Sequence, residues 1–133
     1  MDYTFNVHKN ISNISLTKWS SDAYPSNLGP GYEFSVFKYI TVDPENPIYD
    51  SRENCNAIIE TATNTLIAGC CNTTIPSSVS TIYDTAFARS PYEMETLVIP
   101  STITSMGNGI FAENNIKNVI WESSVAVPHY CFY

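Results

Sequence analysis

Ile75 to Phe87 reads IPSSVSTIYDTAF, and Ile99 to Phe111 reads IPSTITSMGNGIF. Laid in register, Ile75 falls on Ile99, Pro76 on Pro100, Val79 on Ile103, Ile82 on Met106 and Phe87 on Phe111, a constant displacement of 24 residues. The likeness extends upstream. Met94-x-x-Leu97-x-Ile99 leads into the second phrase, Ile116-x-x-Val119-x-Trp121 repeats it 22 residues later, and Phe37-x-x-Ile40-x-Val42 anticipates it. Cys70-x-x-Thr73-x-Ile75 fits the same template with a small residue in the middle.

A period near 23 with one short alternating strand per unit predicts a repeat solenoid. It is mainly β with short helical or 3-10 turns: a leucine-rich-repeat-like right-handed coil of about three to four units of ~23 residues. No unit buries its own apolar face, so consecutive coils must stack and share one core. In Leu97-Val98-Ile99 the alternation sends Leu97 and Ile99 inward and Val98 outward. Pro100 then ends the ladder, since it has no N–H to donate. Ile103 and Met106 fill the turn-back and Phe111 plugs the convex side. Gly107 and Gly109 are expected to supply positive φ; Tyr83 and Thr85 hold those places in the first copy.

The gap from Val42 to Ile75 is 33 residues, one unit plus about ten. Two β-prone runs, 56–61 and 65–68, joined by Ala62-Thr63-Asn64, account for the excess as one β-hairpin insertion at about 56–69. A turn centred on Ala62-Thr63 sets Cys55 opposite Cys70, which leaves a disulfide open, and a slip of one residue removes it. Cys55, Cys70, Cys71 and Cys131 show no zinc-ligand spacing, and buried free thiols are the expectation.

These phrases resemble the BspA-like leucine-rich repeats, whose unit runs roughly Leu-x-x-Ile-x-Ile-Pro-x-x-Val-x-x-Ile-Gly-x-x-Ala-Phe. The likeness covers residues 37–133, with Tyr83 for the usual glycine, Ile110 for alanine and Trp121-Glu122 for Ile-Pro. The resemblance implies a non-catalytic, adhesin-like module that binds a protein or glycan partner at a cell surface or outside the cell.

Residues 1–36 follow no repeat and read as an N-terminal cap over the first coil, with Tyr3, Phe5 and Trp19 as plugs, or as an attachment arm. Ser20 to Gly31 reads as loop. At the other end VAVPHYCFY resembles the back half of a unit with no polar lid after it. His129, Tyr130, Phe132 and Tyr133 are therefore the candidate partner-docking end, for a homo-oligomer or for docking onto a larger assembly. A structural accessory protein of a virion or surface layer, anchored by the N-terminal arm or by this open C-terminal coil, is the alternative function.

Six basic against thirteen acidic residues give a net charge of −7, which argues against nucleic acid and against an anionic membrane surface. No run of eighteen apolar residues exists, so no direct membrane insertion is expected, and MDYTFNVHKN has no signal-peptide pattern. Either the chain is not exported by itself or it belongs to something larger. The sequons at Asn10, Asn13 and Asn72 read as chance in a chain rich in Asn, Ser and Thr.

No P-loop, dinucleotide glycine run, HExxH or GxSxG is present, so no enzyme and no cofactor are expected. His129 with Cys131 lacks a recognisable third partner for nucleophilic work. Asp43, Glu45, Asp50 and Glu53 lack calcium-loop spacing and read as a solvated connection. The template's outward strand positions are Tyr39 and Thr41, Asn72 and Thr74, Thr96 and Val98, Asn118 and Ile120. They form a neutral, hydroxyl- and amide-rich ladder with an apolar end, and they are the candidate binding face.

Overall fold

A computed structural model describes residues 4–12, 37–88, 90, 92–128 and 131. Among these the chain is mostly β, with one short 3-10 turn at Arg52–Asn54. The strands are β1 (Thr4–Val7), β2 (Tyr39–Val42), β3 (Tyr49–Asp50), β4 (Ala57–Glu60), β5 (Thr65–Gly69), β6 (Thr81–Ile82), β7 (Met94–Ile99), β8 (Ser105–Met106) and β9 (Ile116–Trp121). Three sheets result, in the orders β1-β2, β3-β4-β5-β6-β8 and β7-β9.

The sequence period sets the strand register. β7 and β9 run parallel with Thr96 beside Asn118 and Ile99 beside Trp121, the 22-residue displacement of the template. β6 and β8 run parallel with Thr81 beside Ser105, the 24-residue displacement of the two phrases. Equivalent backbone bonds recur: Tyr83 N–H donates to Leu66 O at 2.9 Å and Gly107 N–H to Ile82 O at 2.8 Å. Within β7 the alternation holds, with Leu97 and Ile99 buried and Val98 exposed.

Between the two ladders lies one core, which gathers Ile59, Leu66, Val79, Ile82, Leu97, Ile99, Ile103, Ile110 and the two phenylalanines. Phe87 and Phe111, the ends of the two phrases, stack at 5.5 Å between centroids and 17° between planes. Against Phe87 lies Gly69, where a Cβ would collide with the ring edge at Cε1, 2.8 Å from both Cδ1 and Cζ. The backbone follows the same column: Gly69 N–H donates to Ala86 O, Phe87 N–H to Ile110 O and Phe111 N–H to Cys131 O, at 2.8–2.9 Å.

Gly109 has the expected positive φ, +64°, and Thr85 adopts +56° at the same place in the first copy. Gly107 does not; its glycine is required for space instead. A Cβ there would lie 2.6 Å from Asp84 N and 2.8 Å from its Cα, where the turns of successive units close on each other.

The hairpin of β4 and β5 forms as the spacing predicts, but it carries a bulge. Ile59 faces Leu66 near the turn, whereas Ala57 faces Gly69 beyond the irregularity at Ile58/Ile59. That one-residue shift takes Cys55 and Cys70 out of register and into different clusters: Cys55 joins the core just described, Cys70 a second one with Val7, Ile40 and Ile58. All four cysteines are free, and Cys70 Sγ–H lies 3.1 Å from Lys38 O. Burial pushes the Cys55, Cys70 and Cys131 thiols up to about 11.

Cys70 to Ile75 forms a turn and not the strand its template suggests. The buried Thr73 hydroxyl donates to Asn56 O at 2.5 Å and accepts from Cys70 N–H at 2.8 Å, so the chain folds back. Upstream, β1 pairs in parallel with β2, Thr4 beside Tyr39 and Val7 beside Val42. Phe5 packs against the second cluster and meets Phe37 at 5.1 Å. Buried Asn46 fastens this segment, its amide donating to His8 O and Ile11 O while its Oδ1 accepts from Ile48 and Tyr49 N–H. Tyr3, Trp19 and the stretch from Ser20 to Gly31 lie outside the described residues.

Gly69→Ala is expected to lower stability by about 2 kcal/mol or more, because the Phe87 ring has nowhere to retreat. Paired with Phe87→Leu, the loss in denaturant unfolding should be smaller than the sum of the single losses; strict additivity would remove the proposed clash. The thiols give a second expectation. Their folded pKa exceeds the ordinary 9.0, so the stability from keeping them neutral is complete below that value and is lost as pH rises through about 11. Melting temperature should therefore fall over that window, and a thiol reagent should find half-buried Cys71 first, reaching the other three only on unfolding.

Candidate binding face

All eight residues of the expected face are exposed. The structure brings four together as direct neighbours, Thr96 beside Asn118 and Val98 beside Ile120 on β7 and β9. Tyr39 and Thr41 stand on β2, and Asn72 and Thr74 on the turn that follows the hairpin. Asn72 ties that turn to β2, its Nδ2 donating to Lys38 O at 2.9 Å. Lys38 in turn places its Nζ 4.9 Å from the centroid of Tyr92, just ahead of β7.

Asn118 repeats the device of Asn72 at the equivalent place, with Nδ2 3.4 Å from Glu95 O of the preceding rung. In each case one amide N–H is committed to the neighbouring backbone, on a side chain that is otherwise exposed. Two residues chosen as candidate contacts therefore also hold successive rungs together.

Asn6 belongs to the same face and escaped the reading of the sequence. It lies beside Thr41 in the β1–β2 register, and the Thr41 hydroxyl donates to its Oδ1. The signal was present in Phe5-Asn6-Val7, which alternates as Leu97-Val98-Ile99 does, but stands outside the counted period.

At the margin of the face Lys117 Nζ sits between Glu93 at 3.2 Å and Glu95 at 3.5 Å. These groups are about half exposed, so the pairs organise charge locally and contribute little stability.

The acidic residues 43–53 do not converge. Asp43 Oδ1 accepts from Glu45 N–H at 2.8 Å to close a turn. Asp50 takes two hydrogen bonds from Arg52, Nε at 2.7 Å and Nη2 at 2.6 Å, while Arg52 Nη1 reaches Asn64 and Ser78. Burial alone disfavours the Asp50 charge, but hydrogen bonds from Arg52 and Thr61 outweigh it and hold the carboxyl below its ordinary range. This cluster fastens the hairpin turn to the first phrase. Among the described residues no group of three or more His, Cys, Asp or Glu side chains is placed to hold a metal ion. No helix among them is long and apolar enough to cross a membrane.

Cys131 is buried, and a thiol held near 11 is poorly suited to nucleophilic attack, which needs the thiolate. His129, Tyr130, Phe132 and Tyr133 lie outside the described residues. His8 uses Nδ1 to accept from Asn10 N–H at 3.2 Å, within its own turn.

Two solved bacterial structures share the fold. A leucine-rich repeat protein from Eubacterium ventriosum aligns with 98% of this chain at a TM-score of 0.56 and 16% identity. A leucine rich cell surface protein from Faecalibacterium prausnitzii aligns with 75% at 0.61 and 22%. The chain spans 39% and 28% of their respective lengths. No curated protein matches the chain. The sequence pattern described as the BspA type leucine rich repeat region (6 copies) matches residues 56–133, more than half of the chain. With its repeated phrases in register and its ladders at the same displacement, the chain belongs to the BspA-type leucine-rich-repeat family.

Proposed function

We propose that this chain is a non-catalytic, adhesin-like interaction module that holds a protein or glycan partner on its outward ladder face. In this reading the parallel ladders are the walls of a right-handed solenoid of about three to four units over residues 37–133, preceded by a cap or arm in 1–36. The observation that carries it is the pairing of Thr96 with Asn118 and of Val98 with Ile120. Rigid neighbouring strands hold these side chains outward while Leu97 and Ile99 anchor the same backbone in the core. A surface held at fixed spacing by a buried core is preorganised, which reduces the ordering needed on binding.

The setting we propose is the cell surface, by analogy with the leucine rich cell surface protein from Faecalibacterium prausnitzii. The accessory-protein alternative rests on the N-terminal arm within residues 1–36 or on the docking end at His129, Tyr130, Phe132 and Tyr133, and no observation among the described residues favours it.

Thr96→Lys combined with Asn118→Lys is expected to lower binding at least about tenfold on arrays of immobilised matrix proteins and glycans, because two buried, unpaired ammonium groups would oppose any neutral partner. Both positions are exposed, but Asn118→Lys also gives up the bond to Glu95 O, so a stability loss of about 1 kcal/mol is expected and a cooperative thermal melt shows that the variant is folded. Unchanged binding by this folded variant would remove the face from the function.

A further inference from the structure

The chemistry of the face narrows the partner, granted that the face binds at all. We propose that it takes a neutral, polyhydroxylated chain, an uncharged glycan, laid across the rungs between Tyr39 and Asn118.

Charge is the first ground. The molecule carries −7 overall, yet none of the eight outward residues bears a charge at neutral pH. The charges lie at its borders, Lys117 between Glu93 and Glu95 and the Lys38 ammonium over the Tyr92 ring. An ionic partner would lose water along the row and meet no counter-charge within it. A polyol loses nothing by that absence.

Hydrogen bonding is the second ground. Asn72 and Asn118 each spend one of two amide N–H donors on Lys38 O and Glu95 O, which sets the flip of each amide and leaves its Oδ1 and its second N–H for a ligand. The exposed hydroxyls of Thr74 and Thr96 both donate and accept. A row of amides and hydroxyls that both donate and accept suits ligand O–H groups, which do the same along their length. An extended peptide gains affinity from a free strand edge and specificity from pockets for alternate side chains, and this surface is the face of the ladder.

Shape agrees with both. Within the β7–β9 pair the neighbouring strands stand about 4.7–4.9 Å apart, close to the length of one pyranose unit in a β-linked chain. Tyr39, 46% exposed, offers an aromatic platform at one end, and Val98 and Ile120 offer apolar contact for ring C–H faces at the other.

The test is affinity electrophoresis of the full chain in native gels containing mannan, xylan or a neutral β-glucan, with polygalacturonate as the charged control. At least one neutral polymer should retard the protein and polygalacturonate should not. Tyr39→Ala should weaken retardation about tenfold, and Thr96→Val should also weaken it while conserving a β-prone residue at an exposed position. Matching thermal melts show that each variant is folded. No retardation by any neutral polymer overturns the proposal, as does retardation that survives both variants or is equalled by polygalacturonate. Capture of a matrix protein that is sensitive to the paired lysine substitutions, without neutral-glycan binding, would sink this inference and leave the interaction module standing.

Discussion

The stack of Phe87 on Phe111 over a glycine is the constraint on which the rest depends. Each ring contributes about 1.5–3 kcal/mol by leaving water, and their contact about 0.5–1.5 more. Those magnitudes exceed what the half-exposed Lys117 pairs supply. The stack forms only because residue 69 lacks a Cβ and the 24-residue displacement returns a phenylalanine to the same place. Backbone bonds from Gly69 to Ala86, Phe87 to Ile110 and Phe111 to Cys131 run beside it. Once this column is fixed, β6 and β8 are aligned on one side, β7 and β9 on the other, and the outward residues of the face inherit their spacing.

Much of this was legible because repetition is a strong signal. Five apolar or proline positions coinciding at one displacement predict stacked units, and the strand at Ile116–Trp121 follows from the third appearance of one template. What was illegible depends on local hydrogen bonding. The bulge at Ile58/Ile59 decides whether Cys55 and Cys70 share a face, and alternation alone does not reveal it. Thr73 fits a strand position by size, but its hydroxyl closes a turn. Gly107 is conspicuous in sequence for the wrong reason: the backbone of Asp84 leaves no room, and φ is not at issue.

The face was legible as a set of positions and not as chemistry. Period-2 alternation places Thr96, Val98, Asn118 and Ile120 outward, and they are outward. That the amides of Asn72 and Asn118 bind the preceding rung cannot be read from spacing, since it depends on where Lys38 O and Glu95 O come to lie. Nor does the sequence show β1 beside β2, because Asn46, one of several polar residues in a connection, reaches across to His8 O and Ile11 O while Ile48 and Tyr49 N–H hold its Oδ1. The same polar side chains that tie the rungs together thus set the chemistry of the outward face.

The central claim is that the units share one core and one cooperative structure, which keeps the face rigid. Native-state hydrogen exchange measures this directly at the amides of Phe87, Gly107 and Phe111, each of which donates from one unit to the next. A shared core predicts that all three exchange only through global unfolding, with a common free energy and the same denaturant dependence. Exchange of Phe111 at a far lower free energy than Phe87, insensitive to denaturant, would contradict the account.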